Sequence, residues 1–318
     1  MDSDTQAITE SERVAVYTVQ QPAFKRAVNT AYNSIRHKYL AKYINLLRRG
    51  EKFILLSYPI SRGGNWLYLW ARAATLRHHG TDKASLLYGP GMEAWTEEFP
   101  KLASITASSS EYTFFTRRSG YFPTDIENDI SEEDLHFFIR EYLLSSESFS
   151  KRLARMQNVV DENSLVINIC RGDYYSVPQI NEVFGIDTVT YVEEALKKLQ
   201  ETVTPSKIIF VSDDLQWCEE NLSHLNSVAP CIFEKQGSGM FDDLALVASA
   251  PYLILTNTTF GYWGAYIGEL LTQKIVLSPD IHQLLPKDAH IYQRRPKMHR
   301  THWVAVHHPE GKNWITGE

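Results

Sequence analysis

The chain has 318 residues, of which 43% are apolar and 22% charged, and a formal net charge of −6. That length accommodates two lobes of α/β type, and the composition excludes a disordered or fibrous chain. The mildly acidic balance supplies no basic field, which argues against nucleic acid as a partner. The opening MDSDTQAITESE is acidic and polar, and it lacks the basic stretch and apolar run of a signal peptide. No apolar run of about 18 residues occurs, which predicts no transmembrane helix. Cys170, Cys218 and Cys231 form no CxxC pair and read as reduced thiols of a cytoplasmic protein.

Residues 21–49 place Phe24, Val28, Ala31, Ile35, Tyr39, Ile44 and Leu47 along one stripe and predict a helix. Its basic residues, among them Lys25, Arg26, Arg36, Lys42 and Arg49, read as a solvated face. Peripheral contact with an anionic membrane surface is the alternative. Phe53 to Tyr58 has the character of a buried parallel strand, Ser61-Arg62-Gly63-Gly64-Asn65 that of a turn, and Trp66 to His79 helical period. Strand, glycine turn and helix open a Rossmann-like lobe. Residues 80–130 alternate short strands and polar loops in no readable order. Ser131 to Gln157 predicts a helix, capped by Ser131 with Asp134 three residues on.

The pattern restarts after Asp161-Glu162-Asn163-Ser164. Leu165 to Ile169, Lys207 to Val211, Cys231 to Phe233, Tyr252 to Thr256 and Lys274 to Leu277 predict strands. Thr188 to Glu201, Leu215 to Leu222, Phe241 to Ala250 and Phe260 to Leu271 predict the helices between them. Such alternation implies a parallel sheet covered on both faces. The expected organisation is an N-terminal helical extension (1–50), an N-terminal Rossmann-like lobe (51–158), a C-terminal Rossmann-like lobe (159–280) and a tail packing back on the lobes (281–318).

Ligands of open parallel sheets bind at the carboxyl ends of strands. Four such ends carry unusual polar sets: Arg62-Gly63-Gly64-Asn65, Arg171-Gly172-Asp173-Tyr174, Ser212-Asp213-Asp214 and Thr256-Asn257-Thr258-Thr259-Phe260. Sugar transfer from a nucleoside diphosphate requires positive charge and N–H donors for the leaving group, a base for the acceptor hydroxyl, and exclusion of water. Arg171 offers a planar fork for phosphate. Thr258 and Thr259 stand at a helix start, where capping and phosphate binding are compatible. The carboxylate of Asp173 suits either the base or a turn. His299 and His302 have a loose ligand spacing but no cysteine or carboxylate beside them, and no metal site is expected.

These segments resemble a family. Val166 to Tyr174 (VINICRGDY) is similar to a motif written HxRRGDY, Val211 to Leu222 (VSDDLQWCEENL) to FSDDxxWC, and Asp243 to Tyr266 (DLALVASAPYLILTNTTFGYWGAY) to DLxLMSxCxxxIxxNSTFSWWGA. Gly64-Asn65, Leu67-Tyr68 and Ala71 resemble GNQxFQYA. The family is that of the inverting α-1,2-fucosyltransferases, and the resemblance covers roughly residues 55–280. It implies a GT-B fold of two Rossmann-like lobes, 51–158 for the acceptor and 159–280 for the nucleotide-sugar donor, with the donor site in the cleft between them. The donor would be GDP-fucose, the acceptor a galactose-containing glycan, and no metal or other cofactor would be required. Arg171 would contact the diphosphate, Asp243 the guanine or ribose, and Asn257, Thr258, Thr259 and Phe260 would line the phosphate and base pocket. Gly64 and Asn65 would approach from the N-terminal lobe.

The chain departs from the motif at three positions. Asn168 stands for the histidine and keeps hydrogen-bonding capacity without a charge. Cys170 stands for the first arginine, and Trp66 for the glutamine of the N-terminal turn. Loss of a guanidinium–phosphate contact removes roughly 2–5 kcal/mol of stabilisation, which Arg171 in a shifted loop register, or Arg62 or Arg72 reaching in, would have to replace. Two alternatives stay open: a homologue that binds GDP or glycan with impaired catalysis, and a transferase using another GDP-sugar.

Overall fold

The computed structural model describes residues 48, 52–58, 61–80, 83–123, 129–273, 275–283, 297–310 and 314. The helix predicted over 21–49, with its basic face, lies outside them apart from Arg48, whose Nε donates to the Phe114 carbonyl at 3.1 Å.

The N-terminal lobe is built on a four-stranded, wholly parallel sheet of β1 (Lys52–Leu55), β2 (Lys83–Leu87), β3 (Thr106–Ala107) and β4 (Arg117–Ser119), ordered β3-β2-β1-β4. Helices α1 (Gly63–His78), α2 (Glu93–Glu98), α3 (Glu132–Phe138) and α4 (Glu147–Gln157) accompany it. The single helix expected over 131–157 is interrupted. A π turn at Ile139–Leu143 follows α3, and the Ser146 side chain then caps α4 by accepting from the Phe149 N–H at 3.2 Å. A serine hydroxyl competes with helical carbonyls for backbone donors, so it starts a new helix here.

The C-terminal lobe has a six-stranded parallel sheet of β5 (Ser164–Ile169), β6 (Lys207–Ser212), β7 (Cys231–Ile232), β8 (Tyr252–Leu255), β9 (Ile275–Pro279) and β10 (Val304–Val306), ordered β10-β9-β8-β5-β6-β7. Its helices are α5 (Gly172–Ser176), α6 (Pro178–Phe184), α7 (Thr188–Gln200), α8 (Leu215–Leu222), α9 (Met240–Ser249) and α10 (Thr259–Glu269). The chain winds outward from β5 through β6 to β7, then returns to the other side of β5 for β8, β9 and β10. The winding direction therefore reverses between β5 and β8, as it does between β1 and β4 in the first lobe. Such a reversal leaves a crevice at the carboxyl ends of the two strands. The architecture is α/β, with two Rossmann-like lobes. Strand β10 is too short for its pattern to register in sequence, and it extends the sheet with residues expected only to pack back as a tail.

Every residue of β5 is buried, as are all those of β8, which is why both read as continuous apolar runs. One core cluster runs through both lobes. Leu67, Trp70 and Phe99 of the first share it with Leu244, Trp263 and Tyr266 of the second. A buried charge network crosses the same boundary. Asp242 in the first turn of α9 is 1% exposed and accepts from Arg152 Nη1 at 2.8 Å and from Arg155 of α4. The Nε of Arg152 donates to Glu98 at 3.0 Å.

Replacing Asp242 by alanine leaves Arg152 and Arg155 without their common partner and frees the Ser238 N–H, from which the aspartate accepts at 2.8 Å. The Asp242→Ala variant is expected to lose about 2–4 kcal/mol of stability in denaturant unfolding. An unchanged midpoint would show that solvent replaces these bonds without cost.

Candidate active site

The reversal point brings two loops together. Asn168 of β5 pairs in register with Leu255 of β8, so Cys170-Arg171 and Thr256-Asn257-Thr258 leave the sheet side by side. The Thr256 N–H donates to the Asn168 carbonyl at 3.0 Å, and the Cys170 N–H reaches Thr256 Oγ1 at 3.4 Å. Thr258 then caps α10, its hydroxyl accepting from the Phe260 N–H at 3.3 Å. The remaining N–H groups of that first turn have no carbonyl partner within the helix, and the helix dipole adds positive potential there. Gly261 lies over Asn168, where a side chain on the glycine would meet Asn168 Oδ1 at 2.5 Å. That buried oxygen accepts no hydrogen bond among the described residues, while its amide nitrogen donates to the Val211 carbonyl at 3.1 Å.

Beside these loops stands the end of β6. Asp213 accepts from the Arg171 N–H at 2.7 Å and lies 3.6 Å from Cys170 Sγ. Burial, followed by the charges of Asp213 and Asp173, pushes the Cys170 thiol up to about 12, so it is neutral at physiological pH. The guanidinium of Arg171 is stacked between two rings, with its carbon 3.7 Å from the Trp217 centroid and 4.0 Å from that of Tyr175. Its Nε is 3.7 Å from Asp214 and makes no hydrogen bond.

The N-terminal lobe meets this site through α1. Gly64 packs so closely on α10 that a side chain there would lie 2.5 Å from Thr259 Oγ1 and 2.9 Å from the Phe260 nitrogen. Trp263 Nε1 donates to the Gly64 carbonyl at 2.8 Å. Arg62, just before α1, places Nη2 3.8 Å from Asp173 Oδ2, with a side chain 83% exposed. Carboxyl ends of strands from the two sheets therefore face each other across a cleft.

A profile of glycosyl transferase family 11 matches residues 92–304, more than half the chain. The chain belongs to this family. It is 29% identical over 105 residues to the α-1,2-colitosyltransferase of Escherichia coli, a match covering 33% of this chain and 36% of that protein. It is 27% identical over 162 residues to galactoside α-(1,2)-fucosyltransferase 2 of Oryctolagus cuniculus, covering 48% and 44% of the two chains. The aligned regions thus span well under two thirds of these relatives. Among solved structures, a FUT1 variant of Arabidopsis thaliana in complex with GDP is 12% identical, with 83% of both chains covered and a TM-score of 0.42.

Within this family 11 chain, the residues expected at the site fall into distinct groups. Gly64, Asn65, Cys170, Thr258, Thr259 and Phe260 are drawn together at the cleft. The side chain of Asn65 is half-buried and makes no hydrogen bond with a described residue. Asn257 is used differently from the expectation. Its amide donates to the carbonyls of Phe184 and His282, each at 2.9 Å, so it ties loops together instead of offering those protons to a ligand. Asp243 lies at the carboxyl edge near β7, half-buried, with its carboxyl held above the usual range by burial. Arg72 is engaged within its own lobe, where its Nη1 donates to the Asp129 carbonyl at 2.6 Å.

The loop support that the sequence did not reveal centres on His282. Its Nδ1 lies 3.2 Å from the Tyr262 hydroxyl, and its ring packs at 5.8 Å from Phe184, which stacks on Tyr174 at 4.9 Å. Burial pushes the imidazole down to about 4. An unfolded histidine titrates near roughly 6.5. Between those values the unfolded chain binds a proton that the folded chain refuses, so stability falls as pH drops from about 6.5 toward about 4. Thermal unfolding of His282→Gln is expected to show a shallower decline over that window than the parent. Parallel curves would exclude this histidine as a source of acid sensitivity.

Proposed function

We propose that the protein transfers fucose from GDP-fucose, with inversion, to the 2-hydroxyl of a galactoside on an oligosaccharide or polysaccharide. The observation that carries this reading is the meeting of two helix starts at the reversal point, α10 with its capping Thr258 and α1 with Gly64 and Asn65, in a chain of family 11. A diphosphate at that junction receives N–H groups of the first turn of α10 and the hydroxyls of Thr258 and Thr259. Arg171 raises the local potential from behind, and Arg62 is the exposed cation facing the cleft. Asp243 is an acceptor for guanine or ribose. This division of labour needs no metal, because N–H groups and guanidinium charge stabilise the leaving group.

The acceptor oxygen attacks the anomeric carbon of fucose opposite the diphosphate. The bond from that carbon to the diphosphate oxygen breaks with its electron pair, and GDP departs. The acceptor proton passes to Asp173, whose carboxylate stands on the cleft in the first turn of α5. The half-buried, neutral Cys170 supplies no charge where the family motif has an arginine. A second reading therefore follows from the same geometry: a protein that binds GDP or glycan with catalysis impaired at this position. A cytoplasmic location is part of the proposal, and it is supported by the free state of Cys170, Cys218 and Cys231.

Purified protein given GDP-fucose and lactose in the presence of EDTA is expected to release GDP. Asp173→Asn is expected to lower kcat about a hundredfold or more with GDP affinity nearly unchanged. Tight GDP binding without turnover, with activity appearing in Cys170→Arg, assigns the second reading. Absence of GDP binding removes both, and preference for GDP-mannose in competition redirects the donor.

A further inference from the structure

We infer that Tyr58, Tyr88 and Tyr121 form a platform on which a neutral, galactose-terminated oligosaccharide lies as acceptor. The platform rests on the transferase reading for its reaction, and its geometry is independent of the donor residues.

Seven large apolar or aromatic side chains are exposed among the described residues, and these three tyrosines are among them at 56%, 41% and 59%. Their placement is not scattered. Tyr58 follows β1, Tyr88 follows β2 and Tyr121 follows β4, which lie side by side in the order β2-β1-β4. The register pairs Leu55 with Leu86 and with Ser119, so each tyrosine stands two or three residues beyond a paired position. Adjacent strands are about 4.8 Å apart, so three in a row span roughly 10 Å, the scale of a short oligosaccharide more than of one sugar. Phe114 and Phe115 are also exposed, but they precede β4 and belong to the opposite end of the sheet.

The row faces the donor lobe, because α1 leaves the same end of β1 and its Gly64 touches the start of α10. Ring contacts continue from the platform into that junction. Tyr58 lies 6.4 Å from Phe122, Phe122 6.0 Å from Tyr68, and Tyr68 5.0 Å from Trp263, the residue bonded to the Gly64 carbonyl. Carboxylates accompany the outer rings. The Tyr88 hydroxyl donates to Glu93, and the Tyr121 hydroxyl donates to Asp129 Oδ2 at 2.8 Å. Exposed ring faces take the C–H faces of a pyranose, while carboxylates accept from its hydroxyls. The same carboxylates repel an acidic glycan, which is why the occupant is a neutral one.

Saturation-transfer NMR with lactose and GDP-loaded protein tests the assignment. Signal on the galactose ring is expected with the parent. Tyr58→Ala and Tyr121→Ala are each expected to weaken lactose binding roughly two- to tenfold, one ring's worth of stacking. Calorimetric GDP affinity should stay constant, Tyr121→Phe should keep most of the signal, and Phe115→Ala should change nothing. Unaltered lactose affinity in both alanine variants, or no lactose signal from the parent, overturns the platform. Failure of the parent to bind GDP refutes the donor reading instead, and the lactose series then decides the platform on nucleotide-free protein.

Discussion

Two helix starts pressed together at Gly64 govern the rest of this molecule. Backbone approaches backbone there because position 64 has no Cβ. A methyl group would lie 2.9 Å from both the Phe260 nitrogen and the Thr259 carbonyl carbon, and neither of those atoms can swing aside. The contact fixes the distance between the lobes where the two crevices open, and the Trp263–Gly64 hydrogen bond fixes its orientation. The hydroxyls of Tyr68 and Tyr266, 2.9 Å apart and buried, extend the junction one turn deeper along both helices. The two dipoles thereby direct positive ends into one cleft, a cost in mutual repulsion that a bound anion relieves.

The strands of the C-terminal lobe and their parallel sense were largely implicit in the chain, though their order was not. Apolar runs such as Leu165 to Ile169 and Tyr252 to Thr256 are long, β-branched and flanked by turn residues, so their type and approximate ends are legible. Parallel pairing followed from the helices between them. The first lobe beyond residue 80 was opaque for a physical reason. Strands β3 and β4 have two and three residues, and their neighbours hold them by packing such as the Trp70 Nε1 bond to Thr106 at 2.9 Å. Such strands have no pattern of their own. Likewise α5 and α6 join at Val177, where Pro178 starts the second helix after an extended residue, and segments this short leave little periodicity to read.

Site residues were legible by position and less so by role. Motif spacing located Arg171, Thr258 and Asn257 at strand ends, but side-chain direction is decided by neighbours distant in sequence. Trp217 and Tyr175 capture the Arg171 guanidinium, and the carbonyls of Phe184 and His282 capture the Asn257 amide. Asp242 and Asp243, adjacent in the chain, divide sharply for the same reason. Burial opposes the charge of Asp242, but hydrogen bonds from Arg152 and Ser238 outweigh it and hold that carboxyl low, whereas burial outweighs the pull of Lys235 and holds Asp243 high. A motif that names an aspartate cannot say which of the pair is structural.

The contacts that cross the cleft also differ in how firmly they hold. The carboxylates Asp242 and Glu98 of one network are buried, and Arg300, with a side chain 7% exposed, bonds Glu132 of α3 at 2.8 Å and Glu269 of α10 at 3.2 Å. Added salt weakens an interaction in proportion to its access to water, so the Arg152–Asp242 and Arg300–Glu269 pairs and the Gly64 junction keep their geometry as ionic strength rises, while the bonds of the exposed Arg155 and Glu132 yield sooner. The Arg62–Asp173 pair, 83% and 36% exposed, is the charged contact at the mouth of the cleft that salt loosens first. The lobes are thus braced by buried groups, while the cation and carboxylate at the opening stay exchangeable. On the proposed transferase reading, a diphosphate entering the cleft would draw Arg62 away from Asp173 without disturbing the brace, and the carboxylate so released would then accept the acceptor's proton.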